Sequence, residues 1–285
     1  MISYPQAIIF GLIQGITELF PISSLGHSVI LPKLFNWNIN QKDPFFLTFL
    51  VATHAATSIV LFIFFWKDWK RIILGIIRSL KEREIKETDA DAKLGWLLVI
   101  ATIPAGILGL LFEEQLKTLF ASPQLVAFML IFNGALLFGA EIIRRKRKEQ
   151  PVIGSNERIA KLSFVQAIKV GIMQCLALIP GFSRTGATIT GSLLVGLSHE
   201  DAARYSLLLA TPIIGAAAFL KLPELNTQAE SAFIGQALVG AISAAIAAYL
   251  SVRFLIKYFE TKNLTPFAVY CMVIGGLTSL LFFFR

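Results

Sequence analysis

Long apolar stretches make up most of the chain, and short polar or basic segments separate them. Each of the six longest stretches has 19 to 22 residues and at most one charged residue. A helix of about 20 apolar residues crosses the ~30 Å hydrocarbon core of a bilayer. The pattern therefore predicts an all-α polytopic membrane protein, with a single membrane domain over residues 1–285. The predicted transmembrane helices are 45–66, 94–112, 123–143, 202–220, 231–252 and 264–284.

Two further apolar regions, 5–35 and 164–197, are each interrupted halfway by a polar segment. The interruptions are residues 21–27 (PISSLGH) and 180–186 (PGFSRTG), and each flanking half is too short to span a bilayer comfortably. Broken backbone at membrane depth is tolerated where protein or a water-filled cavity satisfies its polar groups. Each region is therefore predicted to form a re-entrant helical hairpin.

The two interrupted regions match each other without gaps at an offset of 160 positions, with seven identities in 21 aligned positions. The recurring residues are Gln6, Ala7, Ile8, Gly11, Gln14, Ser23 and Gly26. This match indicates a duplication, with repeat one over 1–143, a basic loop at 144–161 and repeat two over 162–285. Each repeat holds one hairpin, which enters and leaves on the same face of the membrane, and three transmembrane helices. Because three crossings end on the opposite face, the second copy is inverted relative to the first. Inverted repeats with broken helices usually place their site at the repeat interface, so the two breaks are predicted to meet.

Composition and charge agree with a membrane protein and add its orientation. The chain is 55% hydrophobic, its mean hydropathy is +0.70, and its net charge is +8. Eighteen Lys or Arg fall in the loops after the first, third and fifth transmembrane helices, against five on the opposite face. Basic loops stay in the cytoplasm, so those three loops are assigned to the cytoplasmic side. Membrane lipids and not nucleic acid are the expected partners, since no aromatic-interleaved motif accompanies the basic runs.

The first break carries residues that suit acid and base chemistry. Gln14 and Glu18 are one helical turn apart and face the break, and a carboxylate at that depth requires a partner, a metal or water. Ser23 and Ser24 are natural caps for the following half-helix, whose N-terminus attracts phosphate. His27 lies in the first turn of that half-helix, where it can exchange a proton. The alternatives are structural roles, with Glu18 as an interhelical hydrogen-bonding residue and His27 as a satisfied helix histidine.

The second break carries residues that suit phosphate binding. Leu178 and Ala187 replace the acid and the base of the first copy, and Arg184 stands where that copy has a serine. The Arg184 guanidinium offers a planar fork of donors for phosphate oxygens. The hydroxyl groups around it belong to Ser183, Thr185 and Thr188. This copy is predicted to bind phosphate and the first to react. A buried ion pair between Arg184 and Glu18 is the alternative, and both roles can hold in the empty protein.

His54 and Arg204 lie within apolar segments and are weaker candidates for the site. Both can face a cavity, but packing or snorkelling explains them equally well. Cys175 and Cys271 have neither metal-site nor disulfide spacing and are interpreted as packing residues.

Residues 14–27 (QGITELFPISSLGH) and 180–188 (PGFSRTGAT) resemble the two signature motifs of the undecaprenyl-pyrophosphate phosphatase family, the bacitracin-resistance type. The resemblance covers essentially the whole chain. It implies hydrolysis of undecaprenyl pyrophosphate to undecaprenyl phosphate and inorganic phosphate, which recycles the lipid carrier of peptidoglycan synthesis and confers bacitracin resistance. The expected location is the bacterial cytoplasmic (inner) membrane, with the site opening on the periplasmic or extracellular face, opposite the basic loops.

The same resemblance implies a divalent cation, Mg²⁺ or Ca²⁺, near Glu18, with Gln14 as a second candidate ligand. The family shows Glu or Gln at position 14, so Glu18 is the only carboxylate of this motif. Glu18 or His27 is predicted to activate the nucleophile, either water or Ser24, and His27 can instead protonate the leaving phosphate. The predicted pyrophosphate-binding residues are Ser23, Ser183, Arg184, Thr185 and Thr188. The oligomeric state stays open, a homodimer included.

A polyprenyl-phosphate flippase or another secondary transporter is the alternative function, because inverted repeats with broken helices are typical of secondary transporters. A carrier needs Arg184 to hold the phosphate but has little use for Glu18 and His27 together. The residue pattern therefore favours an enzyme.

Overall fold

A computed structural model of the chain describes residues 2–40, 43–112, 115, 122–144, 154–221 and 234–284. Over these residues the secondary structure is helical and contains no strand. In chain order the helices are α1 Tyr4–Thr17, α2 Ser24–Leu34, α3 Pro44–Phe64, α4 Trp66–Glu82, α5 Ala90–Leu111, α6 Pro123–Arg144, α7 Ser155–Ala160, α8 Phe164–Gln174, α9 Arg184–Leu194, α10 His199–Lys221, α11 Ile234–Phe259 and α12 Thr265–Phe283. A short 3₁₀ helix, Cys175–Leu178, continues α8.

Six of these helices, α3, α5, α6, α10, α11 and α12, are long and apolar enough to cross a membrane. They coincide with the six predicted transmembrane segments, and most ends agree within a few residues. The largest difference is at α11, which continues to Phe259, seven residues past the apolar segment. Its extension carries Arg253 and Lys257, which are exposed, as expected for a helix end that leaves the hydrocarbon. Residues 231–233 of the predicted segment and 145–153 of the basic loop lie outside the described residues.

The two interrupted regions are helical hairpins. α1 and α2 pack against each other, and so do α8 and α9. The 14 residues of α1 and the 11 residues of α2 are about 21 Å and 16 Å long. Neither helix alone spans a ~30 Å hydrocarbon core, so each hairpin brings a chain break into the interior of the bundle.

The first helices of the two hairpins begin in the same way. Ser3 caps α1 and Ser163 caps α8, each in a reciprocal capping box with the third helical residue, Gln6 or Gln166. Both pairs are related by the offset of 160 found in the sequence. The residues that match at this offset therefore adopt the same local structure at the start of both hairpins.

Small residues allow both hairpins to approach their neighbouring helices closely. A Cβ added at Gly11 would clash with the Gly240 carbonyl oxygen, because α1 packs tightly on α11. A Cβ at Gly171, the matching residue of α8, would lie 2.5 Å from the Ala101 carbonyl oxygen of α5. Such close contacts stabilise helix pairs in a bilayer, where dispersion and not hydrophobic burial drives association.

The basic segment after α3 forms a helix, although the charge pattern alone predicts a loop. α4 follows α3 after the single residue Phe65, and its Ile72, Gly75 and Ser79 are buried. The buried side meets the start of α5, since a Cβ at Gly75 would lie 2.6 Å from the Ala92 amide nitrogen. Apolar residues recur here every three or four positions among charged ones, and this spacing favours an amphipathic helix.

Candidate active site

The two chain breaks meet in the interior, as predicted. The Thr185 hydroxyl donates to the Glu18 carbonyl oxygen at 2.9 Å, and the Ser183 hydroxyl donates to the Phe20 carbonyl oxygen at 3.4 Å. These hydrogen bonds satisfy backbone carbonyls that the end of α1 leaves without helical partners. The contact between the breaks is therefore polar and specific.

A single side chain from α6 joins the two breaks. The Asn133 amide donates through Nδ2 to the Pro21 carbonyl oxygen at 3.0 Å and accepts through Oδ1 from the Ser183 amide at 3.0 Å. Asn133 is fully buried and lies ten residues from the start and eleven from the end of α6. The breaks are thus held about 15 Å from either end of a membrane-crossing helix, close to its middle.

Both breaks require backbone conformations that most residues avoid. Ser23 has φ of +69°, in the left-handed region that is strained for a side-chain-bearing residue. Gly181 has φ of +101°, and a Cβ there would lie 2.5 Å from the Val126 carbonyl oxygen. Strained backbone of this kind persists where the surroundings hold it, and it is typical of functional sites.

Each break ends in a capped helix N-terminus. The Ser23 hydroxyl accepts from the Gly26 amide of α2, and the Ser183 hydroxyl accepts from the Gly186 amide of α9. The predicted binding residues Ser23 and Ser183 therefore act as caps in this structure. The helix termini that they organise present further backbone N–H groups, which favour a bound anion.

The carboxylate of Glu18 lies at the centre of the site. Its Oε2 accepts from the Ser24 hydroxyl at 2.5 Å and from the Gln14 side-chain amide at 3.2 Å, and it lies 3.3 Å from His54 Nε2. Its Oε1 accepts from the Arg184 guanidinium at 3.0 Å. We call these five residues the Glu18 cluster. The Glu18 side chain is 6% exposed, so its negative charge is stabilised by these donors and not by bulk water.

Arg184 is the only guanidinium in the cluster, and its donors are not all used. One terminal nitrogen binds Glu18, the other donates to the Ser206 carbonyl oxygen at 3.4 Å, and Nε has no hydrogen-bond partner among the described residues. Thr188 lies behind this group, hydrogen bonded to the Ser206 hydroxyl at 2.5 Å and to the Arg184 carbonyl. An unpaired buried N–H donor is unfavourable, so Arg184 is poised to bind an additional anionic oxygen.

The structure places His27 away from the Glu18 cluster. Its Nδ1 donates to the Ser23 carbonyl oxygen at 2.7 Å, and its Nε2 accepts from the Tyr270 hydroxyl at 2.8 Å, with the two rings stacked. No hydrogen bond or ion pair joins His27 to Glu18 or Arg184 within the described residues. His27 therefore holds the carbonyl of Ser23, the residue immediately before Ser24, by a hydrogen bond.

His54 occupies the position beside Glu18 that the sequence pattern favours for His27. It lies ten residues from each end of α3, and its Nδ1 donates to the Leu50 carbonyl oxygen at 2.7 Å. Its side chain is 19% exposed, more than those of Glu18 or Arg184. In the sequence His54 is a weak candidate. The sequence feature that could have identified His54 is its position, because a titratable residue in the middle of an apolar span usually has a function.

Asn133, Ser206 and Tyr270 complete the residues that the sequence did not single out. Each lies on a long, mostly apolar helix outside the two motifs, 112 positions from Pro21 for Asn133, 22 from Arg184 for Ser206 and 243 from His27 for Tyr270. Arg204, the other weak candidate, lies elsewhere, where it binds Asp68 and Asn156 at one end of the bundle.

The described residues do not form a ready-made metal cage. No group of three or more His, Cys, Asp or Glu is arranged to hold a metal within them. Glu18 offers the one carboxylate of its cluster, and the Gln14 Oε1 is buried without a partner among the described residues. These two oxygens fit a cation that takes most of its ligands from elsewhere, as Mg²⁺ does when it binds one or two side chains together with phosphate oxygens.

The chain matches a known protein family over nearly its whole length. The family model described as Bacitracin resistance protein BacA matches residues 7–277, which include both breaks and all five residues of the Glu18 cluster. The chain belongs to the BacA family. The BacA match agrees with the resemblance of the two motifs, and together with the six apolar helices it makes the chain a multi-pass membrane protein.

Curated BacA relatives align with nearly the whole chain. A protein of Mycolicibacterium paratuberculosis named undecaprenyl-diphosphatase is 43% identical, and the alignment covers 96% of each chain. Undecaprenyl-diphosphatase 2 of Frankia alni is 40% identical, covering 99% of this chain and 98% of the relative. Undecaprenyl-diphosphatase 2 of Burkholderia ambifaria is 44% identical, covering 94% and 93%.

Removing the Asn133 side-chain amide should destabilise the protein without touching the Glu18 cluster. Asn133→Leu keeps the volume but leaves the Ser183 amide buried without a partner and the Pro21 carbonyl with only the weak Cys271 thiol donor at 3.8 Å, so we expect a loss of about 1–3 kcal/mol. Thermal unfolding in detergent measures this. Thr278→Val is the matched control, because within the described part of the chain the buried Thr278 hydroxyl bonds only carbonyls of its own helix. Equal melting temperatures for the two variants would contradict the role of Asn133.

Proposed function

We propose that this chain is a membrane phosphatase that hydrolyses undecaprenyl pyrophosphate to undecaprenyl phosphate and inorganic phosphate. The observation that carries the proposal is the buried contact of Glu18 with Ser24 and Arg184, which joins the two motifs in one site. The relatives that align over the whole chain are named undecaprenyl-diphosphatases, and these names do not support the flippase alternative.

Arg184 binds the terminal phosphate in this mechanism. Its Nε has no partner in the described structure, and the N-terminus of α9 begins at the same residue. A phosphate at this point would accept from the guanidinium and from backbone N–H groups, which together neutralise its charge. Most of the rate enhancement in phosphoryl transfer comes from such positioning and charge stabilisation.

Ser24 acts as the nucleophile and Glu18 as its base. Glu18 removes the Ser24 proton, the serine oxygen bonds to the terminal phosphorus, and the bond from phosphorus to the bridging oxygen breaks. Glu18 passes the proton to that bridging oxygen, and the lipid phosphate leaves. Water then attacks the phosphoserine, Glu18 takes the water proton, and the serine oxygen recovers a proton as inorganic phosphate departs. The 2.5 Å hydrogen bond from Ser24 to Glu18 supports this assignment.

His27 is a positioning residue in this scheme. It fixes the Ser23 carbonyl, which directly precedes the nucleophile, and it is held in turn by Tyr270. A group that binds the strained residue before Ser24 keeps its hydroxyl aimed at the base. This role differs from the direct acid or base role that the sequence pattern alone favours.

A divalent cation, Mg²⁺ or Ca²⁺, fits beside Glu18 and Gln14 when the pyrophosphate supplies its remaining ligands. Bound there, the cation would neutralise charge on the transferring phosphate. The free Gln14 Oε1 supports this placement.

The inverted-repeat arrangement and the orientation in the membrane are also proposed. The recurring capping boxes at Ser3 and Ser163 support the duplication, and the paired close contacts at Gly11 and Gly171 support equivalent roles for α1 and α8. α4 places exposed Lys and Arg side chains at the end of α3. With that end of α3 on the cytoplasmic side of the inner membrane, the site opens to the periplasmic or extracellular side.

The nucleophile is tested by phosphate release from undecaprenyl pyrophosphate with purified protein in detergent, with and without EDTA. Wild type should release phosphate in a cation-dependent way, and Ser24→Ala should lower the rate on the order of a thousandfold. Acid quenching and mass spectrometry should detect phosphate on Ser24 of wild type. Ser28→Ala is the control, since among the described residues the hydroxyl of this buried serine, one turn along α2, bonds only the Ser24 carbonyl. High activity in Ser24→Ala would make water the nucleophile, and no release by folded wild type would reject the phosphatase.

His54 should contribute through Glu18. His54→Leu removes the donor that faces Glu18 Oε2 and is expected to lower kcat about tenfold or more, whereas His54→Gln retains an N–H donor and should recover part of the loss. The matched control is His199→Gln, because His199 contacts another buried carboxylate, Glu141, at 2.7 Å. Equal kcat for wild type and His54→Leu would exclude the role.

A further inference from the structure

α4 presents a lysine-bearing face, an exposed apolar stripe and a buried face along its length, and the exposed Leu74 lies among the lysines. A helical period of 3.6 residues places three lysines within about 60° of one another, and an exposed apolar stripe lies next to them. The lysines are Lys67, Lys70 and Lys81, and the apolar stripe is Trp66, Ile73, Ile77 and Leu80. The third face, with Ile72, Gly75 and Ser79, is buried against the bundle.

The position of α4 keeps it at the membrane surface. Only Phe65 separates it from the end of α3, which crosses the membrane, and five basic residues between positions 67 and 81 exclude α4 itself from crossing. Every hydrogen bond and ion pair between α4 and α5 in the described chain falls within residues 89–96, the start of α5. α4 therefore lies across the beginning of α5 and does not run alongside it into the bilayer.

The basic groups of α4 divide into two kinds. Arg71 and Arg78 are paired with the nearby aspartates Asp68 and Asp89. Lys67, Lys70 and Lys81 are exposed, and within the described residues no carboxylate lies within 4.0 Å of them. Their charge is therefore available to an external anion.

We propose that α4 is an in-plane membrane-surface helix whose three free lysines bind the headgroups of anionic phospholipids in the adjacent leaflet. The stripe of Trp66, Ile73, Ile77 and Leu80 enters the acyl-chain boundary, and the lysines lie about 60–100° around the helix, at the level of the phosphates. An exposed apolar stripe flanked by unpaired lysines is complementary to an anionic bilayer surface. The same charges disfavour packing against a second copy of α4, which would bring like charges together.

The test uses the fluorescence of Trp66, which is 53% exposed on the apolar stripe. Full-length protein is placed in nanodiscs of equal parts phosphatidylcholine and phosphatidylglycerol, with bromine on the acyl chains of one lipid or the other. Subtracting the signal of a Trp66→Phe variant isolates Trp66. Because each basic residue near an anionic surface contributes about 1 kcal/mol, we expect brominated phosphatidylglycerol to quench Trp66 at least about twofold more than brominated phosphatidylcholine.

A triple variant, Lys67→Gln with Lys70→Gln and Lys81→Gln, should bring the two quenching values together. The matched control replaces three exposed lysines elsewhere, Lys161, Lys257 and Lys262, by Gln and should keep the wild-type preference. Phosphate release, which none of these lysines is expected to affect, checks that both variants fold. Equal quenching in wild type, or an unchanged preference in the α4 triple variant, would overturn the proposal. A Trp66 that neither lipid quenches would also overturn it and would indicate a protein partner on this face.

Discussion

Glu18→Gln is expected to lower phosphate release from undecaprenyl pyrophosphate by about a thousandfold, because the substitution removes the proposed acceptor of the nucleophile's proton. The amide keeps the shape of the side chain and a carbonyl oxygen that can still accept from Arg184. The structural role of Glu18 is thereby largely retained, while its basicity is lost. The measurement is kcat in detergent, together with a melting temperature that confirms the fold.

Glu141→Gln is the matched control for this prediction. Glu141 is also a buried carboxylate on an apolar helix, and it also faces a histidine, His199, at 2.7 Å. It lies outside the Glu18 cluster, so its amide variant should retain activity within a few-fold of wild type. Loss of activity in both variants alike would attribute the effect to buried charge in general, and retention of activity by Glu18→Gln would reject Glu18 as the base.

Arg184→Lys is expected to lower kcat/KM by about a hundredfold to a thousandfold, the range found when a preorganised donor to a developing charge is removed. Lysine preserves the positive charge beside Glu18 and avoids leaving that carboxylate unpaired. It cannot reproduce the planar fork, whose Nε is free to bind phosphate while a terminal nitrogen binds Glu18. Steady-state kinetics should therefore show a raised KM as well as a lowered kcat.

Arg204→Lys provides the comparison, since Arg204 also pairs with a carboxylate, Asp68 at 2.8 Å, but outside the cluster. This variant should remain close to wild type. Because Arg184 and Glu18 contact one another, their losses should not add in the double variant Glu18→Gln with Arg184→Lys. Wild-type kinetics for Arg184→Lys would show that a point charge suffices, and strictly additive losses would show that the two residues act separately.

The helices of the fold could be predicted from the sequence because the solvent is lipid. Uninterrupted apolar runs such as 94–112 and 123–143 have few alternatives to a membrane-crossing helix, since backbone polar groups must be satisfied within the segment. The breaks were equally visible, because Pro21 and Gly181 interrupt otherwise apolar segments. α4 was missed, since a charge count records its lysines but not the 3.6-residue period that makes the segment a helix.

The sequence predicts the part of the site whose residues lie in the two motifs, 14–27 and 180–188. Ser24 and Arg184 lie within the two polar interruptions and Glu18 lies three residues before the first, so their contact follows once the two breaks meet. His54 and Asn133 have no such context, because each lies within a long, mostly apolar helix outside both motifs. Which way a lone residue points depends on the rotation of its helix, and packing against other helices sets that rotation.

The sequence by itself determined that this protein is an α-helical membrane protein with two polar breaks, and it predicts a phosphate-binding chemistry divided between them. Local chemistry is sufficient for that, since apolar length, helix breaks and motif residues act over a few turns. Only the tertiary structure decided that His54 and not His27 faces Glu18, that Asn133 joins the two breaks, and that α4 lies across the start of α5. Those outcomes depend on how separate helices pack, and packing is set by contacts between residues far apart in the sequence. His54 and Glu18 are more than 30 positions apart, and Asn133 and Pro21 are 112 positions apart.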